Sequence, residues 1–139
     1  HLESGKVVRN DKRLAEWFTP EQIETIAQAV EDHRASNKNE PRSIYGKIVA
    51  EADRQIDGMT ILRRTIQFGL NHYPQLDMEG HWERTLEHIN EKYAEGGYLR
   101  LWIPESTNAL RLREFQSMIK NTVLLREHFV MIYAEETSR

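Results

Sequence analysis

Apolar residues along this 139-residue chain recur at helical spacing, and no short segment alternates polar and apolar as a half-buried strand does. Leu2 and Val8 mark residues 2–9 as a helix end, and a second short helix fits Lys12 to Phe18. The clearest start signal is Thr19-Pro20-Glu21-Gln22. Thr19 can accept from free N–H groups, Pro20 suits the first helical position, and Gln22 completes a capping box. The helix it opens is expected to bury Ile23, Ile26, Ala27 and Val30 and to reach Arg34. A polar loop follows to Pro41, which disfavours helix at Glu40. Ser43 then caps a helix whose apolar stripe is Tyr45, Ile48, Val49, Ala52 and Ile56, ended by a turn at Asp57-Gly58. Thr60 begins the next, with Leu62, Ile66 and Leu70, closed before Pro74.

Asp77 caps a longer helix with Met78, Trp82, Leu86, Ile89 and Tyr93 on one side, stopped by Gly96-Gly97. Tyr98 to Pro104 reads as an extended strap over the helices. Ser106 or Thr107 starts a last helical region, broken near Asn121, with Phe115, Ile119, Leu125, Phe129, Ile132 and Tyr133 apolar. The expectation is a single all-α domain over residues 1–139, an irregular bundle of about seven helices.

Composition narrows the chemistry. There is no cysteine, which excludes disulfides and thiolate metal sites, so any metal must be held by nitrogen and oxygen. A net charge of −3 with mixed signs throughout argues against bulk nucleic-acid binding. No apolar run approaches a membrane span and no signal peptide is visible, so a cytoplasmic setting is the default expectation. Neither a nucleophile elbow nor a Walker-type phosphate loop occurs.

His and Asp residues remain as ligands for a divalent ion. His33 flanks the buried stripe of its helix, where it either binds a ligand or hydrogen-bonds a carbonyl near the helix end. Asp53 borders the stripe of the next helix and needs a partner there, either a cation or one of Arg34, Arg42 and Arg54. His1 lies one turn before Gly5, a residue that permits close helix approach. His81 and His88 share a helix face and read as surface residues. His72 suits a helix C-terminus, and His128 a structural place.

Three segments together carry a resemblance. His1-Leu2-Glu3-Ser4-Gly5-Lys6-Val7-Val8 resembles the helix that follows the His-Asp doublet in HD-domain phosphohydrolases. Ile26-Ala27-Gln28-Ala29-Val30-Glu31-Asp32-His33 is similar to that family's helix ending in a ligand His. Ile44 to Asp53 looks like its closing segment, in which an Ala-Asp pair presents a carboxylate ligand. Glu31 to Arg54 further resembles an uncharacterised bacterial subgroup of HD hydrolases, with a basic loop between the two ligands. The resemblance implies an HD-like metal-site core over residues 1–57 and a helical extension over 58–139.

It also implies hydrolysis of a nucleotide or other phosphoester at a divalent ion (Mn, Mg, Fe, Ni or Zn). His1, His33 and Asp53 would be metal ligands, with His33 and Asp53 as the catalytic pair. Arg34, Lys38, Arg42 and Lys47 would hold the substrate phosphate, and Glu31 or Asp32 would orient a ligand or water. The family's His-Asp dipeptide occurs nowhere in the chain, since Asp32-His33 has the reverse order. The chain is therefore expected to be a fragment lacking upstream ligands, itself inactive. Two competing expectations are a non-catalytic helical module binding a nucleotide or partner, and a scaffold that forms homo-oligomers through the Tyr98–Ile103 strap.

Overall fold

The computed structural model describes residues 2–34 and 39–138. Among them are seven α-helices and no strand, so the all-α expectation holds. The helices are α1 (Leu2–Asn10), α2 (Pro20–Asp32), α3 (Ile44–Asp53), α4 (Gly58–His72), α5 (Met78–Tyr93), α6 (Thr107–Lys120) and α7 (Thr122–Thr137). The segment expected as a helix from Lys12 to Phe18 shortens to a single 3-10 turn, Leu14–Glu16.

Most starts form where the side-chain acceptors stand. Thr19 accepts from Gln22 N–H while the Gln22 side chain accepts from Thr19 N–H, the reciprocal pair of a capping box. Ser43, Asp57, Asp77 and Asn121 accept from the N–H groups of Gly46, Thr60, Gly80 and Leu124. Because Asp57 is itself a cap, α4 begins at Gly58 and not at Thr60. After α5, Gly96 takes φ 83°, the left-handed conformation that glycine adopts without a Cβ penalty.

The chain divides into two compact units: residues 1–55 with 99–109, and residues 56–98 with 110–139. In the first, small residues govern the packing. Ala27, Ala29 and Ala50 are buried, and a Cβ added at Gly46 would lie 3.6 Å from the Ala29 Cα. The segment 99–109 belongs here because it satisfies the end of α3. Glu51 accepts from Ser106 Oγ and from Trp102 N–H, while Asn108 Nδ2 donates to the carbonyls of Glu51 and Arg54. Those carbonyls are among the acceptors a helix end leaves without an intrahelical donor.

Two stripes depart from expectation in this unit. On α2 only Ala27 of the four expected core residues is buried, and Ile23, Ile26 and Val30 remain partly exposed. On α3 most of the expected stripe lies outward: Tyr45, Ile48, Val49 and Ala52 are exposed, and Gly46, Ala50 and Glu51 are buried instead, while Ile56 falls beyond the helix and is buried as expected. The close approach that Gly46 and Ala50 allow turns the opposite face of α3 to the outside.

The second unit has the large side chains. Leu62 and Ile66 of α4, Ile89 of α5, and Leu125, Phe129 and Ile132 of α7 are fully buried, with Phe115 of α6 nearly so. Arg63 of α4 pairs with Glu135 and Glu136 of α7. The α5 stripe is rotated from its expected centre: His81, Thr85 and Ile89 face inward, and Met78, Trp82 and Leu86 are only partly covered. His81, expected at the surface, is 1% exposed, because Gly69 of α4 makes room for its ring beside Tyr133. No helix among the described residues is long and apolar enough to cross a membrane.

Candidate functional site

The charged centre of the first unit lies at the end of α2. Gly5 brings α1 against it: a Cβ there would sit 2.6 Å from Glu31 Cγ. One turn on, Arg9 pairs with Glu31 and with Glu24 at 2.7 Å. Gly5 lies beside Glu31 while Arg9 reaches back to Glu24, so α1 runs antiparallel to α2. Its N-terminal end therefore points past the C-terminal end of α2.

From the other side comes Arg42, just before α3. Its backbone N–H and Nε both donate to Asp32, and its Nη2 reaches Asp32 at 2.9 Å and Glu31 at 2.7 Å. Glu31 and Asp32 are both buried, and these cations are what lets two adjacent carboxylates stay ionised there. Hydrogen bonds from Arg9, then Arg42, lower the Glu31 pKa to about 2. Burial works against Asp32, yet the bonds from Arg42 still hold it below the usual carboxylate range. Glu24 is likewise lowered to about 2, chiefly by Arg9.

His33 follows directly as the residue that ends α2. Its Nδ1 lies 2.5 Å from the Val30 carbonyl, the helix-end contact that its position suggested. A carbonyl can only accept, so the proton belongs on Nδ1 and a neutral ring keeps its Nε2 lone pair. Asp53, the last residue of α3, is exposed and not half-buried at a stripe border, because that stripe faces out. Of the arginines considered for it, Arg54 is the one that feels its charge.

Arg34 is exposed and makes no ion pair among the described residues. Lys47 pairs with Glu40. His1 and Lys38 lie outside the described residues. The structure thus gathers Arg42, Glu31 and Asp32 at one point, with His33 adjoining them. Among the described residues no hydrogen bond joins His33 to Asp53, and none form a group of three or more His, Cys, Asp or Glu side chains placed for one ion. The imidazole nitrogen and the carboxylate are individually suited to a borderline divalent ion, but two donors do not close a shell.

The sequence offers Arg54 only as a partner for Asp53. It is 5% exposed, and its Nε and Nη1 have no hydrogen-bond partner among the described residues. Burial lowers its pKa, against the opposing charges of Glu51 and Asp53. Arg9, which completes the acid cluster, had no signal in local periodicity. Its only clue was the one-turn spacing from Gly5.

Comparison with known proteins gives no family to set beside this geometry: no family profile, curated protein or solved structure matches the chain.

Proposed function

We propose that this chain contributes ligands to the divalent-metal centre of a phosphohydrolase acting on a nucleotide or other phosphoester. The observation that carries the reading is the orientation of His33. A metal-binding imidazole commonly donates its second N–H to a backbone carbonyl, which fixes the tautomer and directs the other nitrogen at the ion. The Nδ1 contact to Val30 leaves Nε2 for that role. Asp53 would supply an anionic oxygen, unencumbered by any hydrogen bond among the described residues. His1 is the further ligand that the resemblance implies.

The shell also needs the His-Asp dipeptide that residues 1–139 lack, so the proposal concerns a polypeptide in which an upstream segment provides it. A bound divalent ion would supply a water of lowered pKa and neutralise charge on the phosphoryl oxygens. Arg34 has its guanidinium fork available for a phosphate. Arg42 and Lys47 would have to exchange Asp32, Glu31 and Glu40 for one.

The test is a titration with Mn²⁺ of an isotopically labelled polypeptide that carries an upstream His-Asp segment, read as paramagnetic broadening. Amides near His33 and Asp53 should broaden first, and His33→Ala should remove the effect at both. Broadening centred instead on His72, or spread evenly over the acidic surface, would overturn the assignment. A second reading, a non-catalytic partner-binding module, is favoured by the apolar face that α3 turns outward.

A further inference from the structure

The first unit packs mainly with its small residues and leaves most of its large apolar ones at least partly exposed. Ile44, Tyr45 and Ile48 of α3 are 57%, 61% and 50% exposed. At 100° per residue, these three with Val49 and Ala52 span an arc of about 140°, opposite the buried Gly46 and Ala50. α3 is therefore amphipathic with its apolar face turned away from the unit it belongs to. Between that face and α2 runs a groove of about 550 Å³, whose walls include Phe18, Ile26, Val30, Tyr45 and Val49. Trp17, next in the chain to the groove residue Phe18, is 79% exposed, and its backbone N–H donates to the Leu14 carbonyl.

We propose that this face is the interface of a homodimer, in which Trp17 of each copy enters the groove of the other. Knob and hole lie on the same unit, and a two-fold axis needs such self-complementarity: where residue i of one copy meets j of the second, j meets i in return. The groove also supplies what a buried indole requires. Its Nε1–H must find an acceptor, and Glu21 is among the residues that line the groove.

Size agrees as well. The exposed parts of Trp17, Phe18, Ile44, Tyr45, Ile48 and Val49 amount to something on the order of 600 Å², close to the ~800 Å² that each partner contributes to a stable interface. Tryptophan and tyrosine are the residues that most often dominate such contacts, and both stand at this one. The dimer makes no use of His33, Asp53 or a metal, so it stands or falls apart from the phosphohydrolase reading.

Sedimentation equilibrium of the metal-free 139-residue chain, from about 1 μM to about 300 μM, tests it. A monomer–dimer equilibrium is expected, with tryptophan emission shifting to the blue as dimer forms. Trp17→Glu and Ile48→Glu, both at exposed positions, should each weaken the dimer about thirtyfold or more while helical circular dichroism stays unchanged. Val123→Glu, an exposed apolar position on α7, should leave it intact. A chain that stays monomeric at every concentration overturns the proposal, including one whose groove takes up an added amphipathic helix. So does a dimer that ignores Trp17→Glu and Ile48→Glu but dissociates when Leu101 or Trp102 of the 99–109 segment is replaced.

Discussion

At the scale of single residues, the first unit depends on charges that sequence spacing presents only in part. Glu31 and Asp32 read as helpers of a neighbouring ligand, whereas in the fold they are the acids that bind Arg9 and Arg42. Their partners come from 22 and 11 positions away from Glu31, beyond the reach of helical periodicity. Because the Glu31 pKa is lowered in the fold to about 2, its contribution to stability is present above its ordinary value of 4.5 and is lost as pH falls towards 2. Glu31→Gln should lower the melting temperature at neutral pH and flatten its acid dependence below pH 4.5, which thermal melts at several pH values will read. Gly5→Ala puts a methyl where Glu31 lies and should cost about 1–3 kcal/mol in denaturant unfolding.

His81 escapes the sequence reading for a local reason. Its i, i+4, i+8 relation to Thr85 and Ile89 forms a stripe with two non-aliphatic members, and the neighbouring row of Met78, Trp82 and Leu86 is the more hydrophobic. Burial first, then Arg84, push its pKa below the usual 6.5. The unfolded chain therefore takes up the proton more readily than the folded one. Stability tied to His81 is complete above pH 6.5 and is lost as pH falls through the lowered folded value, with a slope of at most about 1.4 kcal/mol per pH unit. His81→Leu should make stability less sensitive to pH between 7 and 5. An unchanged pH profile in that variant would place the sensitivity elsewhere, His88 being the next group with a lowered pKa.

At the scale of elements, helix starts were the most legible feature, because a cap is a local event: one short side chain and an N–H two or three residues on. Thr19, Ser43 and Asp77 act as caps where the sequence placed them. Asp57 reads in the sequence as part of a closing turn, although the same carboxylate opens α4. It accepts from Thr60 at 2.7 Å, and that bond lowers its pKa. Asp57→Ala should destabilise the protein by about 1 kcal/mol, and Asp57→Asn by much less, as a neutral amide can still accept. Which face a helix buries was harder to read. Hydrophobic periodicity finds the apolar stripe of α3 correctly but cannot say whether this chain covers it. That depends on Gly46 and Ala50, whose smallness decides how closely α2 approaches.

The whole molecule is uneven, and the unevenness follows from where the large side chains went. Among the described residues, the large, fully buried side chains belong to the second unit, Phe115, Phe129, Leu62, Ile66, Ile89, Leu125 and Ile132 among them. The first unit buries Ala27, Ala29, Ala50, Leu99 and Ala109, with Glu31, Asp32, Glu51 and Arg54 as its buried polar groups. Apolar stabilisation scales with the area removed from water, and an alanine methyl removes far less than a leucine or phenylalanine side chain. Arg54 adds a burial cost that no hydrogen bond to Nε or Nη1 repays. Glu51 keeps Ser106 and the Trp102 N–H as partners without it, so Arg54→Met should hold or raise the melting temperature.

The same reasoning ranks the helices. Opening α2 and α3 exposes little apolar area that is not already exposed, whereas opening α4 or α7 uncovers a packed aliphatic and aromatic core. Amide hydrogen exchange on dilute protein should therefore show mid-helix protection in α4 and α7 at least about a hundredfold above that in α2 and α3. Raising the concentration should narrow the gap if the outward face of α3 becomes covered. Equal protection of the two sets in dilute solution would mean that the salt-linked acids of α2 stabilise the first unit as strongly as hydrophobic burial does the second.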